Sequence, residues 1–131
     1  MRMKTFLIPI EPVAWKRPGL NYQTKRLYDP QKEEKLLSGI HFVSQMKNEL
    51  PFSGPVAITC YFFMKIPASK RKRRPLCSTK PDIDNLQKYY FDVLTDCKVL
   101  QDDCLICESH AFKIYDKNPR VEISISELEL L

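Results

Sequence analysis

One stretch of the sequence, residues 80–103, holds most of the side chains that could do chemistry. It begins Lys-Pro-Asp-Ile-Asp-Asn-Leu-Gln-Lys and ends on the pair Asp102 and Asp103. Carboxylate oxygens are the ligands that hard cations prefer, and Mg²⁺ is usually held by one or two carboxylates together with substrate phosphates. Lys88, within the same stretch, could neutralise charge that develops on a phosphate. The stretch therefore indicates a metal site that acts on a phosphate ester.

The most basic run of the chain lies directly before these acids. A charge run is usually a solvated surface, and many proteins carry one for that reason alone. Five consecutive cations also repel one another, however, and bound phosphates would relieve that repulsion. The position beside the acids favours a phosphate-binding loop, and hence an enzyme that cuts nucleic acid. The run consists of Lys70, Arg71, Lys72, Arg73 and Arg74.

Length and composition set the class of protein. The chain has 131 residues, of which 44% are hydrophobic and 28% charged, as in an ordinary folded protein. We expect a single domain over residues 1–131 with one modest core. The net charge of +5 favours a polyanionic partner. No apolar stretch approaches the length of a membrane span, no signal peptide is apparent, and the five cysteines fit reduced thiols, so we expect a cytoplasmic protein.

A helix is predicted between the two acidic ends of the stretch. It starts near Asp82 to Asp84, where Asp84 and Gln87 match a capping box. Asp84, Lys88 and Asp92 are each four residues apart and so line up along one ridge. Because a helix of about 14 residues is 20 Å long, Asp103 reaches Asp82 only if the chain folds back. The predicted buried stripe is Ile83, Leu86, Tyr90, Val93, Leu94 and Cys97.

The elements before this helix form the expected scaffold. Thr5–Ile10 is predicted to be a strand and Ala14–Tyr28 a loop. Asp29 then caps a helix that begins at Pro30 and ends before Pro51. Val56–Met64 follows as a central strand, apolar on both faces and so covered on both sides. The apolar residues that recur at helical spacing in the first helix are Leu36, Leu37, Ile40, Val43, Met46 and Leu50.

The chain is predicted to end in two strands. Leu105–Tyr115 and Arg120–Leu128 are joined by a hairpin turn at residues 116–119. The order of elements is therefore β-α-β-α-β-β, a mixed α/β (α+β) domain with a mixed sheet packed by two helices. In the last strand Val121, Ile123 and Ile125 are expected to face the core.

Each of these chemical features could also have a purely structural role. Asp84 could serve only as an N-cap, the ridge from Asp84 to Asp92 could form only surface ion pairs, and the two acids at 102 and 103 could form only a turn. Aromatic residues interleave with cations in the loop after the first strand, which suits base stacking or, equally, anchoring of the loop to the core. These aromatics are Trp15, Tyr22 and Tyr28.

The cysteines near the acids invite a zinc site, with ligands from Cys97, Cys104, Cys107 and His110. Residues three apart in a strand point to opposite faces of a sheet, however, which is poor geometry for one ion. The sequence therefore favours small buried apolar side chains for these thiols.

The acidic stretch resembles the RusA family of Holliday junction resolvases. The shared pattern is Asp-x-Asp-Asn-Leu-x-Lys at residues 82–88, an Asp four residues beyond the lysine, and an Asp-Asp pair about ten residues later. The resemblance implies a small homodimeric, Mg²⁺-dependent endodeoxyribonuclease, in which Mn²⁺ can substitute and no small-molecule cofactor takes part. Members of the family nick two opposed strands of a four-way DNA junction in recombination and repair, and phages and prophages often carry them.

The resemblance also assigns roles by position. It implies that Asp82, Asp84 and Asp103 are metal-binding catalytic acids and that Lys88 is the essential lysine. Asp102 and Asp92 match acidic positions that could support them. The cations expected to contact DNA are Lys70, Arg71, Lys72, Arg73, Arg74, Lys80, Lys16 and Arg17.

Two rival functions fit the same residues. A non-catalytic, basic DNA-binding module could keep the same fold and charge. Alternatively, a nuclease with the same site could act on other branched nucleic acid, such as flaps, or on RNA.

Overall fold

A four-stranded mixed sheet carries two helices on one face in the computed structural model, which describes residues 1–68 and 75–129. The strands lie in the order β1-β6-β4-β5. β6 is antiparallel to both of its neighbours, whereas β4 and β5 run parallel. A separate hairpin pairs β2 with β3. The strands are β1 Met3–Ile8, β2 Gly19–Asn21, β3 Arg26–Tyr28, β4 Val56–Lys65, β5 Ile106–Asp116 and β6 Arg120–Glu127.

The core lies between the sheet and the helices α1 Lys32–Met46 and α2 Ile83–Asp96. Phe42 of α1 packs edge-on against Phe6 of β1, with ring centroids 5.3 Å apart. Tyr90 of α2 packs against Phe62 of β4 at 5.7 Å. This arrangement confirms a mixed α+β domain in which two helices pack on a mixed sheet. Within the described residues, no helix combines the length and apolar character that crossing a membrane requires.

The prediction for the buried face of α1 was wrong. The residues of α1 that are buried are Ser38, Gly39, Phe42 and Met46. The small residues Ser38 and Gly39 let α2 approach closely, so that the Ser38 and Tyr89 hydroxyls lie 3.0 Å apart. The predicted stripe of Leu36, Leu37, Ile40 and Val43 faces outward instead, with each side chain 53–63% exposed. Only Met46 of the predicted stripe is buried, and Leu50 lies beyond the helix and is exposed.

The start and end of α1 also differ from the prediction. Gln31 occupies the N-cap position, and Asp29 instead accepts a hydrogen bond from the backbone N–H of Gln31 at 2.8 Å. Lys47 and Asn48 adopt left-handed backbone angles directly after Met46. This conformation ends the helix before the predicted boundary at Pro51.

Helix α2 is confirmed, but its predicted capping box is wrong. Asp82 takes the N-cap position, and Asp84 lies within the first turn. The Gln87 amide donates to the Ser109 hydroxyl at 2.6 Å and so contacts β5 instead of the N-cap backbone. The buried face is Leu86, Tyr89, Tyr90, Val93 and Leu94, which leaves Ile83 more than a third exposed.

Three further predictions about the sheet need correction. The loop predicted over residues 14–28 contains the β2–β3 hairpin, whose turn is organised by the Asn21 side chain. Strand β4 alternates in burial, and no described element packs on its outer face, where the rings of Tyr61 and Phe112 stack 5.0 Å apart. The turn at residues 116–119 does not form a hairpin, because β4 lies between β5 and β6.

Candidate active site along helix α2

The first two candidate acids lie at the N-terminus of α2. The backbone of Asp82 is extended, with φ −72° and ψ 144°, and its carboxylate lies 3.2 Å from the Lys80 ammonium. Asp84 accepts a hydrogen bond from the backbone N–H of Asn85 at 3.0 Å. Both acids are exposed, so a cation or a phosphate can reach them from solvent.

Strand β5 holds the loop that carries these acids. The Lys113 ammonium donates to the backbone carbonyls of Thr79 and Pro81, both at 2.6 Å. The backbone N–H of Cys77 donates to the Lys113 carbonyl at 3.1 Å. An open cleft forms between this loop and β5, and it is lined by Thr79, Lys80, Asp82, Ile83, Asp84 and Phe112, among others.

The Cys77 thiol at the inner end of this cleft has a pKa below its ordinary value. Burial opposes ionisation of the thiol, but hydrogen bonding with Tyr115 and Thr79 and the positive charge of Lys113 together outweigh burial. The loop before Asp82 is therefore fixed to β5 by polar contacts as well as by packing.

The chain folds back after α2, but within the described residues Asp103 does not join Asp82 and Asp84 in a group that could hold a metal ion. The backbone N–H groups of Val99 and Leu100 both donate to the Leu94 carbonyl, and that of Gln101 donates to the Phe52 carbonyl at 3.0 Å. A short 3₁₀ helix, Asp103–Leu105, then leads into β5. β5 runs back along α2 towards its N-terminus, since Ser109 contacts Gln87 and Lys113 contacts Pro81. Asp103 consequently lies beside the middle of α2.

The two acids of the fold-back differ in their electrostatics. The backbone N–H of Cys104 and a hydrogen bond with Asp103 hold the pKa of Asp102 below its ordinary value. Partial loss of solvent, together with the hydrogen bond and charge of Asp102, raises the pKa of Asp103. The charge of Asp92 raises the pKa of Asp103 further, and that of Lys88 lowers it. Asp103 therefore lies close enough to Lys88 for their charges to interact.

Lys88 occupies the middle of the acidic ridge. It lies one helical turn beyond Asp84, and its ammonium is 4.9 Å from the centroid of the Trp15 ring. Asp92, one turn further, lies 3.4 Å from the Lys35 ammonium of α1. Lys35 also pairs with Asp29 at 2.9 Å. The ridge is thus not a ladder of ion pairs, because Asp92 joins the two helices while Lys88 contacts an aromatic ring.

The donor atoms suit Mg²⁺, although the described residues do not form a complete cage for it. Within residues 1–68 and 75–129, no three or more His, Cys, Asp or Glu side chains lie close enough together to hold a metal ion. Mg²⁺ usually needs only one or two carboxylates and completes its coordination with water and substrate phosphates. Asp82, Asp84 and Asp103 supply oxygen ligands of this kind at exposed positions. Cys104 and Cys107 are both exposed free thiols, so the prediction that they are buried apolar side chains was wrong.

The structure describes only three of the residues that are predicted to contact DNA. The basic run from Lys70 to Arg74 lies outside the described residues. Lys16 and Arg17 are exposed at the end of a segment that crosses α2, and Lys80 pairs with Asp82.

One residue of the site, and one contact within it, were missed in the sequence. The sequence pattern could have identified Lys113, because it is a charged residue at an inward-facing position between the partly buried Ala111 and Tyr115. The contact between Trp15 and Lys88 left no signal, since the two residues lie far apart in the chain and belong to no shared pattern.

A family model and two known proteins match this chain. A family model described as Endodeoxyribonuclease RusA matches residues 9–126. A Bacillus subtilis (strain 168) protein, "Uncharacterized protein YqaN", is 30% identical over 94% of this chain and 95% of its own length. The "Crossover junction endodeoxyribonuclease rusA" of Lactococcus phage r1t is 35% identical over 56% of this chain and 56% of its own. The family match includes α2, the fold-back and β5, which together position every described acid of the site.

Proposed function

We propose, from the premise that the chain belongs to the RusA family of endodeoxyribonucleases, that it resolves four-way DNA junctions by Mg²⁺-dependent, paired nicking of two opposed strands. The reaction is hydrolysis of a phosphodiester, and the whole chain serves as one endonuclease domain. The observation that carries the proposal is the fold-back, which brings Asp103 within electrostatic reach of Lys88 on the ridge that begins at Asp84.

The roles of the side chains follow from their placement. Asp82, Asp84 and Asp103 would hold Mg²⁺, or Mn²⁺ in its place. The metal, when bound, supplies a nucleophilic water and stabilises charge on the phosphate. Lys88 lies on the ridge of α2 that begins at Asp84. Its positive charge can offset negative charge on the scissile phosphate. Asp102 accepts from the backbone N–H of Cys104 and raises the pKa of its neighbour Asp103, and Asp92 fixes α2 against Lys35 of α1.

Basic residues on both sides of the site would bind the DNA backbone. Lys16 and Arg17 are exposed close to α2, and Lys80 lies at the mouth of the cleft. The run from Lys70 to Arg74 directly precedes the loop that carries Asp82 in the sequence. Such contacts position a duplex without reading its sequence.

A homodimer would use the outward apolar face of α1. Leu36, Ile40 and Val43 of this face line a groove of about 520 Å³ that continues onto Val93 and Cys97 of α2. Contiguous exposed apolar residues with a polar rim are typical of protein interfaces. The rim holds both signs of charge, from Asp29, Lys32, Lys35 and Asp96.

A second copy of the chain is the partner that suits this face. A two-fold interface places the same patch of each copy against the other, so a patch that has both Lys32 and Asp96 on its rim can be self-complementary. Two protomers would also supply two active sites, which the two opposed strands of a junction require.

The rival functions are separated by one comparison of substrates. We expect the protein to cleave a synthetic four-way junction in preference to a flap, a linear duplex and a single-stranded RNA, all at the same salt concentration because salt sets the affinity for every one of them. Equal or faster cleavage of the flap or the RNA would favour a nuclease with another substrate. Tight binding without cleavage of any substrate in Mg²⁺ or Mn²⁺ would favour the non-catalytic module.

A further inference from the structure

A short segment, residues 12–17, crosses the N-terminal half of α2 and is fixed there by four hydrogen bonds. We call this segment the strap. The backbone N–H of Val13 donates to the Tyr90 hydroxyl at 3.1 Å, and that of Trp15 donates to the Asn85 carbonyl at 2.9 Å. Both Tyr90 and Asn85 belong to α2. The strap is therefore attached to the same helix that carries Asp84 and Lys88.

The side chain of Gln31 supplies the other two hydrogen bonds of the strap. Its carbonyl oxygen accepts from the backbone N–H of Lys16, and its amide donates to the Ala14 carbonyl, both at 2.8 Å. Gln31 is fully buried, so neither bond competes with bulk water. The backbone on both sides of Trp15 is thus held from two directions.

This anchoring fixes the Trp15 ring against the ammonium of Lys88. The indole is partly buried against the core, and its ring centroid lies 4.9 Å from the Lys88 ammonium. In the described part of the chain Lys88 forms no ion pair with any carboxylate. Tryptophan is the aromatic side chain that attracts a cation most strongly through its ring face.

We propose that Trp15 is a positioning residue for Lys88 in the reaction. A lysine side chain has four flexible carbons and many rotamers, and the ring restricts them to those that place the ammonium over the indole, on the ridge of α2 that begins at Asp84. A carboxylate in the same place would also restrict the lysine, but it would cancel its charge. The aromatic face holds Lys88 while leaving its full positive charge available to a phosphate. This inference rests on the proposed nuclease function for its effect on cleavage, but the contact itself does not.

The first test measures the contact without any cleavage. Methylene protons that lie over an indole ring have resonances shifted upfield by the ring current. We expect NMR of the lysine-labelled protein to show such a shift for Lys88, and we expect its loss in Trp15→Leu. The resonances of Lys117, in the turn before β6, should not change. Lys88 methylene resonances at the positions of a free lysine in the wild-type protein would overturn the proposal even if the protein cleaves junctions.

The second test separates positioning from DNA binding. In single-turnover cleavage with saturating enzyme, we expect Trp15→Leu to lower the rate about two- to five-fold, the range that a cation–π contact with an exposed ammonium can supply, while the Kd for the junction stays the same. Trp15→Phe keeps an aromatic face and the fold, so it should retain most of the rate. A weaker Kd with an unchanged cleavage rate in either variant would mean that Trp15 contacts DNA directly, and would contradict the proposal.

An exposed aromatic residue elsewhere in the chain provides a matched control for Trp15. Tyr61→Leu removes an exposed aromatic from the outer face of β4, on the side of the sheet away from α2, and should leave the cleavage rate unchanged. Absence of any junction cleavage by the wild-type protein would reject the proposed function, and the NMR measurement would then decide the positioning of Lys88 alone.

Discussion

The ammonium of Lys88 lies over the ring of Trp15 at 4.9 Å, and not against any of the carboxylates that surround it in sequence. Its neighbours at four residues on either side, Asp84 and Asp92, make other contacts. No carboxylate among the described residues therefore neutralises the positive charge of Lys88. The ammonium can interact with a bound phosphate.

The dimer proposal predicts that charge on the outer face of α1 separates the protomers. Leu36→Glu with Ile40→Glu should convert a particle of twice the 15.4 kDa chain mass into one of that mass in light-scattering measurements. Each side chain would forfeit about 1.5–3 kcal/mol of apolar burial at such an interface. Leu27→Glu, on the exposed β3 strand of the hairpin, is the matched control and should leave the mass unchanged. A double variant that stays dimeric would place the interface elsewhere.

The face of α1 also shows what the sequence could not reveal. Helical periodicity identified Leu36, Leu37, Ile40 and Val43 as one stripe, and they do share a face. Periodicity cannot tell whether such a face is covered by the chain's own core or by another molecule. The small residues Ser38 and Gly39 contact α2 instead, because they allow the two helices to approach closely.

The basic run predicts the salt dependence of DNA binding. Replacing Lys70, Lys72 and Arg73 by Gln should weaken junction binding and reduce the slope of log K against log salt by up to about three, since each phosphate contact contributes close to one unit. Gln at Lys47, Lys98 and Lys117 changes the net charge equally and is expected to leave the slope nearly unchanged. Equal slopes for the loop variant and the wild-type protein would exclude the run from phosphate contact.

Asp29 predicts a pH-dependent contribution to stability. Its hydrogen bond with Lys35, followed by that from the Gln31 backbone, lowers the pKa of Asp29 below its ordinary 3.8. A carboxylate with a lowered pKa stabilises the fold above its unfolded-state pKa and loses this effect as pH falls through the folded value. Asp29→Asn should therefore lower the free energy of unfolding at pH 7, by less than about 1 kcal/mol because the pair is partly exposed.

Denaturant unfolding at several pH values checks this prediction. The difference between wild type and Asp29→Asn should shrink as pH falls below 3.8. Glu11→Gln, at an exposed carboxylate, should show no such trend. A difference that grows at low pH would contradict the assigned ion pair.

The candidate metal ligands predict a separation of binding from cleavage. Asp82→Asn and Asp103→Asn each keep the shape of the side chain but remove a charged oxygen ligand, so cleavage should fall below detection while the junction Kd stays within a few fold. Asp116→Asn, at the end of β5, removes an acid outside the cleft and should cleave as wild type. Cleavage retained in both Asp82→Asn and Asp103→Asn would reject the metal assignment.

The arrangement of the acidic stretch could be predicted because it depends only on residues that are close together in the sequence. The spacing of Asp82, Asp84 and Lys88 along one helix depends only on helical geometry, and α2 forms where the sequence predicted it. The route of the chain after Leu94 was not predictable, because it depends on backbone hydrogen bonds with Phe52, which lies more than 40 residues earlier. The order of the last strands was missed for a similar reason, since β4 lies between β5 and β6.

The most direct test of the proposed function is cleavage of a four-way junction labelled on each strand in turn, with Mg²⁺ and with EDTA, beside a linear duplex of the same sequence. We expect symmetric nicks in two opposed strands of the junction, in Mg²⁺ only, and no cleavage of the duplex. Tight junction binding without nicks in Mg²⁺ or Mn²⁺, or cleavage that persists in EDTA, would contradict a metal-dependent junction resolvase.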